Sequence, residues 1–429
     1  MSLPRACLAL LTLTTFTFTL ALRAGAADWP LPAGDPAKLG VSAQRIEVAH
    51  KALDRYVDEG RYAGYVSFFA RHGQIVDWHA HGWRDLEAKK PMEKDTIVRM
   101  YSNTKVITAV AILTLLEQDK LKLSDPISKY LPELKDRQVL VGGTADAPQL
   151  KPATKPITIL HLMNQTAGYY YDASYSAGND VAIELFRRAK VWEADNLDGF
   201  VSRVAQLPVL ENPGERWRYG IAIDLLGAIV QRASGQRFDR YLEEHIFKPL
   251  GMRDTGFWVP EEKLGRVAKI YRTDDAGKLV EATPIGGRSP KPDGTGIQSG
   301  GGGLYSTSGD YARFAQMLLN GGQLDGVRIL SRKTVDLMSR NHIAHLAYPH
   351  PFDREDRGYG LVVQVVSDQG RSTMLGSEGM WGWDGAASTI CWIDPKEDTV
   401  LVMITQRFPY NAEEFLNAFV NTTYATFDD

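Results

Sequence analysis

YSNTKVITAVAILTLLEQDKLKLSDPISKYLPELK occupies residues 101–135, and its opening puts Ser102 three residues before Lys105 at the mouth of an apolar run. No charge interrupts Val106 to Leu116, and Asp119, Lys120 and Lys122 mark the end of the run. The pattern predicts a helix over 102–118 with Ser102 at the N-cap or in the first turn. Residues three apart share a helix face, so the hydroxyl and the amine reach one cleft. A serine hydroxyl is a poor nucleophile until a neighbouring base takes its proton. A lysine stripped of solvent, or set beside another cation, loses its proton more readily and can be that base. The N–H groups of a helix N-terminus also suit a developing oxyanion. Taken alone, the pattern also fits a helix cap followed by a solvated lysine. Two features favour the chemical reading: Ser-x-x-Lys occurs once in the chain, and Lys105 begins a helix whose other faces need burial. No serine is flanked by glycines two residues before and two after, so the nucleophile elbow of the α/β-hydrolases is absent.

The chain of 429 residues has room for about two domains. With 44% hydrophobic and 24% charged residues it has the composition of a globular protein. Its formal net charge of -3 provides no basic field for nucleic acid, and no nucleic-acid partner is expected. The leader MSLPRACLALLTLTTFTFTLALRAGAADWP has an early Arg5, an apolar, threonine-rich stretch and a small-residue Ala24-Gly25-Ala26, the pattern of a signal peptide over residues 1–26. An uncleaved anchor is the alternative, but the run is a poor membrane span. Export to the periplasm or medium, without stable membrane insertion, is therefore expected. Of two cysteines, Cys7 would leave with the leader and Cys391 would pack in a strand, so neither a disulfide nor a Cys-His site is expected.

Residues 41–60 read as a helix, and YAGYVSFFARHGQIVDWHAHG (62–82) as two strands joined at His72-Gly73. Helical segments dominate from Ser124 to about residue 300, ending in the glycine- and proline-rich PIGGRSPKPDGTGIQSGGGG (284–303), a loop length that usually signals function. Helices at 306–322 and 331–342 precede strands at 359–366, 387–394 and 399–405, and a helix closes the chain. This order predicts an α+β fold: residues 28–120 and 300–429 build a mixed domain from both chain ends around a mostly helical domain at 121–299.

The 101–135 stretch resembles the nucleophile helix and following turn of the serine β-lactamase and penicillin-binding superfamily, most closely its family VIII carboxylesterase branch, related to class C β-lactamases. The similarity continues through ITILHLMNQTAG (157–168), PGERWRYGIAIDLLGAIVQRASGQ (213–236), SGGGGLYSTSGDYARFAQMLLNGG (299–322) and GWDGAASTICWIDPKEDTVLVMITQ (382–406). It implies a β-lactamase/transpeptidase-like fold, an antiparallel sheet flanked by helices, and acyl-enzyme chemistry without cofactor or metal. By resemblance, Ser102 matches the acylated nucleophile, Lys105 its helical partner and Tyr219 the tyrosine of the second motif. A nearby ammonium would favour the ionised phenol, making Tyr219 a proton relay. Tyr101, Tyr169, Tyr170 and Tyr171 compete for that part, and the last three are expected to line the substrate pocket.

Two departures bear on substrate. Where β-lactamases carry Tyr-x-Asn, the third position is Ile221. Where their third motif offers a lysine or histidine to a substrate carboxylate, the chain has Trp383-Asp384-Gly385, aligned with the Trp-Gly-Gly of the esterases, and Asp384 would repel an anion. Both favour a neutral ester. The N–H near Ala386, with that of Ser102, is the expected oxyanion hole. Trp217, Trp381 and Trp383 fit an acyl or aryl pocket as well as a core. His79 and His81 share a strand face, and His342, His345 and His350 lie close in sequence, but no acidic or cysteine companion stands beside them in a recognisable pattern, so no metal site is expected. The leading expectation is an exported esterase for short acyl chains acting on a small-molecule ester. The rivals are a β-lactamase or D-Ala-D-Ala carboxypeptidase and a catalytically silent sensor of the same fold.

Overall fold

The computed structural model describes residues 29–285, 290–347, 351–410 and 412–429. The expected leader, Cys7 and His350 lie outside these residues. An eight-stranded sheet organises the described chain. Its strands are β1 (Gly64–Arg71), β2 (Gln74–Asp85), β3 (Lys90–Pro91), β4 (Arg357–Tyr359), β5 (Gln364–Val366), β6 (Trp381–Gly385), β7 (Thr389–Asp394) and β8 (Thr399–Thr405). Their order is β4-β5-β6-β7-β8-β1-β2-β3, and every neighbouring pair is antiparallel. Strands from the two chain ends meet in the β1–β8 pair, Tyr65 opposite Thr405 and Arg71 opposite Thr399. The fold is therefore α+β, as expected from the element order.

The β1–β2 connection falls at His72-Gly73. Both residues have positive φ, 53° and 71°, as the tight two-residue hairpin turn requires. Alternation along the strands then gives the sheet two apolar faces. On one, Val66, Phe68, Trp383 and Val402 join a core with α2 (Thr104–Glu117), α3 (Ala222–Ser234) and α4 (Ser308–Leu319). On the other, Tyr65, Phe69, Trp392 and Leu401 pack with α1 (Ala43–Asp58) and α5 (Asn417–Tyr424). Helix α1 has the matching stripe: Ile46, Ala49, Leu53 and Tyr56 are buried while most of their neighbours stay in contact with water.

Helix α2 is different. Every residue from Thr104 to Leu115 is buried, as expected of a helix apolar on all sides. It packs against α3. The chain enters it through a short 3-10 turn at Tyr101–Asn103, with Tyr101 at φ 45°, a backbone state that non-glycine residues seldom adopt.

Two expectations about elements change. YGLVVQVV (359–366) is not one strand, because β4 ends at Tyr359 and β5 begins at Gln364. Between them Leu361 and Val362 donate their N–H groups to the Met338 and Met163 carbonyls, and Val362 takes φ 74°. Burial of this apolar corner against the helical block overrides its β propensity. The stretch 121–299 also holds two hairpins, Gln138–Gly143 with Pro148–Pro152 and Tyr271–Thr273 with Leu279–Glu281, which glycine, proline and charged residues obscure in the sequence.

Candidate active site

Ser102, in the entry turn to α2, is where three distant segments converge. Tyr219, just before α3, donates its phenol O–H to Ser102 Oγ at 2.6 Å. Lys105 Nζ donates to the same oxygen at 3.2 Å, to the Gly301 carbonyl at 2.5 Å and to Tyr171 OH at 3.2 Å. The ammonium also stands 4.8 Å from the centre of the Tyr219 ring.

Lys105 is 0% exposed, and its burial lowers its pKa to about 8, although Asp224 acts in the opposite direction. Asp224 sits on α3 and does not touch the amine. It accepts from Ser299 Oγ at 2.5 Å and from the Gly301 N–H at 2.9 Å. The aspartate thus holds the glycine loop whose carbonyl holds the lysine. A side chain at Gly301 would collide with the Asp224 carboxylate, so the close approach requires glycine. The loop is fixed from α2 as well: Thr108 Oγ1 donates to the Gly300 carbonyl at 2.8 Å, and the Leu304 N–H donates to Thr104 Oγ1 at 3.1 Å. The functional reading of the long glycine-rich segment therefore has a structural basis at Ser299–Leu304.

Tyr219 departs from the sequence expectation. Burial pushes its phenol well above the ordinary tyrosine range, and the hydrogen bonds with Ser102 and Trp383 lower it only in part. The environment holds the ring neutral, with its proton aimed at Ser102. Of the two partners, Lys105 is the one whose proton affinity is reduced toward neutral pH.

Tyr170, expected in the pocket, is not there. It is 1% exposed and packs on Phe186, while Tyr169 is buried likewise. Tyr171 alone of the three lines the cavity and reaches Lys105. Three consecutive tyrosines in a loop carry no periodicity that would single one out. Asp224 belongs to no motif that the sequence singles out, although an acid within the apolar run IDLLGAIV is a signal in itself.

The cavity outside Ser102 has a volume of about 960 Å³. Tyr171, Tyr219, Trp192 and Trp383 line it near the serine, with ring centres 5.6 Å apart for Tyr171–Tyr219 and for Tyr219–Trp383. Asp384, Gly385 and Ala386 border the same space. Trp217 does not, but stacks on Tyr219 with ring centres 6.1 Å apart, and Trp381 is core. Ile221 is fully buried and offers nothing to a ligand.

Farther from the serine, Asp384 accepts a hydrogen bond from Tyr410, and burial raises its pKa against the pull of Tyr410, Arg357 and Arg354. Both arginines line the cavity and both bind Asp356, Arg354 Nε at 3.1 Å and Arg357 Nε at 2.8 Å.

A family model described as Beta-lactamase matches residues 49–423. The chain belongs to the Beta-lactamase family. It is similar to esterase EstB of Burkholderia gladioli, 32% identical over 301 residues that cover 65% of this chain and 71% of that protein. It is 30% identical over 369 residues to lovastatin esterase of Penicillium rubens, covering 80% and 88% of the two chains. Among solved structures it matches EstCE1, described as a hydrolase with promiscuous acyltransferase activity, at 26% identity and a TM-score of 0.75, over 89% of this chain and 98% of that one. These likenesses fit the serine β-lactamase-like superfamily with its family VIII esterases, and the chain is an enzyme of this hydrolase and acyltransferase group.

Proposed function

We propose that the chain is an exported serine esterase that cleaves neutral carboxylic esters of short acyl chains through an acyl-enzyme on Ser102. The observation that carries this reading is the single hydroxyl, Ser102 Oγ, contacted at once by a buried amine and a neutral phenol. Lys105, neutral in an appreciable fraction near its pKa of about 8, takes the Ser102 proton as Oγ attacks the ester carbonyl. The N–H groups of Ser102 and Ala386 receive the oxyanion. As the tetrahedral adduct collapses, Tyr219 gives its proton to the leaving alkoxide, and the phenolate is reprotonated by the Lys105 ammonium. The alcohol thus leaves with the Tyr219 proton, and Lys105 returns to Tyr219 a proton in place of the one it took from the serine. Water repeats the sequence in reverse to release the acid.

Aromatic crowding at Ser102 supports a short acyl group, with the wider remainder of the cavity left for the alcohol portion. Ile221 and Asp384 support a substrate with neither a side-chain amide nor a carboxylate to be read at those positions. The leader supports export, and no helix among the described residues is long and apolar enough to cross a membrane.

Hydrolysis of nitrophenyl esters of increasing acyl length tests the reading. Wild-type enzyme is expected to favour the acetate and butyrate, and Ser102→Ala to lose at least ~10³-fold in kcat/KM. Equal activity of the two proteins sinks the mechanism, and preference for long chains removes the short-acyl element.

Arg99 favours a second reading, a β-lactamase or D-Ala-D-Ala carboxypeptidase. It lines the cavity, its guanidinium 4.6 Å from the centre of the Tyr305 ring, and is a cation that a substrate carboxylate would seek. A chromogenic cephalosporin turned over as fast as the best ester, and slowed by Arg99→Gln, would favour that reading.

A further inference from the structure

We propose that Asp54, His79 and His81 form a binding site for one divalent transition-metal ion, on the face of the sheet opposite α2. The two histidines are two residues apart on β2, so the strand period turns both rings to the α1 side. Their register partners on β1 are Ser67 and Tyr65. Helix α1 runs across this face and supplies Asp54 between the rings. His79 Nε2 lies 3.0 Å and His81 Nδ1 3.6 Å from Asp54 Oδ1. The ligand atoms of all three side chains fall within 4.8 Å of one another, and no other group of three or more such residues does so among the described residues.

These distances suit a metal. Bonds of about 2.0–2.1 Å at tetrahedral angles put neighbouring ligand atoms about 3.3 Å apart, so small ring rotations close the set around an ion. Two imidazoles and a carboxylate favour Zn²⁺ or Co²⁺ over Ca²⁺ or Mg²⁺, which prefer all-oxygen shells.

The surroundings are those that orient ligands. Asp58, one turn beyond Asp54, has Oδ1 2.9 Å from His81 Nε2, leaving His81 Nδ1 for the ion. Tyr65 donates to Asp54 Oδ1 at 2.8 Å, and the His50 ring stacks on His79 with centres 4.0 Å apart. The three side chains are 22–32% exposed, so an ion enters directly from solvent. Binding releases any protons held on the coordinating nitrogens and on Asp54, and no redox step is involved. The bound ion ties α1 to β2.

The test uses the full chain without a polyhistidine tag, stripped with a chelator, titrated with Co²⁺ and followed by visible absorption and calorimetry. One equivalent is expected, with a visible d–d band of the intensity of a four-coordinate site, competed away by Zn²⁺. His79→Ala/His81→Ala is expected to abolish binding. Asp58→Asn, which leaves the three ligands in place, is expected to weaken it about 10–100-fold. Should the double variant fail to fold, the nearly isosteric Asp54→Asn, checked by circular dichroism, is expected to lose the band and retain ester hydrolysis. Thermal melts of wild type are expected to rise with Zn²⁺. The proposal is overturned if wild type binds no Co²⁺, or if folded His79→Ala/His81→Ala or Asp54→Asn binds it as wild type does.

Discussion

The cavity is bounded by buried charge at both ends, but the two ends hold it differently. Beside Ser102, Lys105 shares its surroundings with Asp224 without touching it, and the amine instead contacts a hydroxyl, a phenol and a carbonyl. Beyond Trp383, Arg354 and Arg357 bind Asp356 directly. Burial dominates where the charges stand apart, bringing Lys105 down to about 8. Where they touch, burial alone would raise Asp356, but the bonds and charges of Arg354 and Arg357 outweigh it and hold the carboxylate below its usual range. A guanidinium does not give up its proton in a protein, whereas an amine does. One end is thus built to move protons and the other to keep its charge fixed.

Lys105→Met removes the mobile proton at nearly constant volume and should have the largest effect. Loss of the general base is expected to lower kcat/KM for a nitrophenyl ester about 10²–10⁴-fold. Wild-type kcat/KM should rise about tenfold per pH unit up to about pH 8 and then level off, because only the neutral amine accepts the serine proton. A variant that keeps this acid limb would reassign the base.

The fixed end should respond in stability. Arg357→Met leaves Asp356 to Arg354 alone, and losing a charge-assisted hydrogen bond of this kind costs about 1.5–3 kcal/mol. Urea unfolding reads this loss, while the acid limb of the pH profile should stay where it is in the protein that remains folded. A moved limb would mean that the two ends are electrostatically coupled.

The smallest effect sharpens the comparison. Asp224 supports the Lys105 ammonium through space, so Asp224→Asn should lower the lysine pKa further and shift the acid limb to lower pH. At pH 6.5 the variant should then retain a larger share of its own plateau rate than wild type does. An unmoved limb would show that Asp224 acts only through the glycine loop, by its bonds with Ser299 and Gly301.

Much of this is legible in the sequence, for reasons that differ by residue. The β1–β2 hairpin could be read because alternating aromatic and β-branched residues flank a His-Gly turn. The corner at 360–363 could not, because Leu361, Val362 and Val363 look like strand and bend only where Met163 and Met338 offer carbonyls. The charge state of Tyr219 is not legible in the sequence, because proximity to a lysine says nothing of how completely the ring is enclosed. Tyr171 could not be told from Tyr169 and Tyr170 until the loop path turned one ring toward the amine.

The chain alone settled what lies within one turn: Ser102 and Lys105 meet because side chains three apart fall on one side of a 3-10 turn that runs into a helix, whatever surrounds them. Tyr219 stands 117 positions from Ser102, and Asp54 stands 25 from His79, so no local rule joins either pair. Folding decided both contacts, since side chains remote in sequence become neighbours only through the packing of whole elements. The same packing excluded water around Lys105, and it is that exclusion, not the identity of the residue, which turns an ordinary lysine into a base.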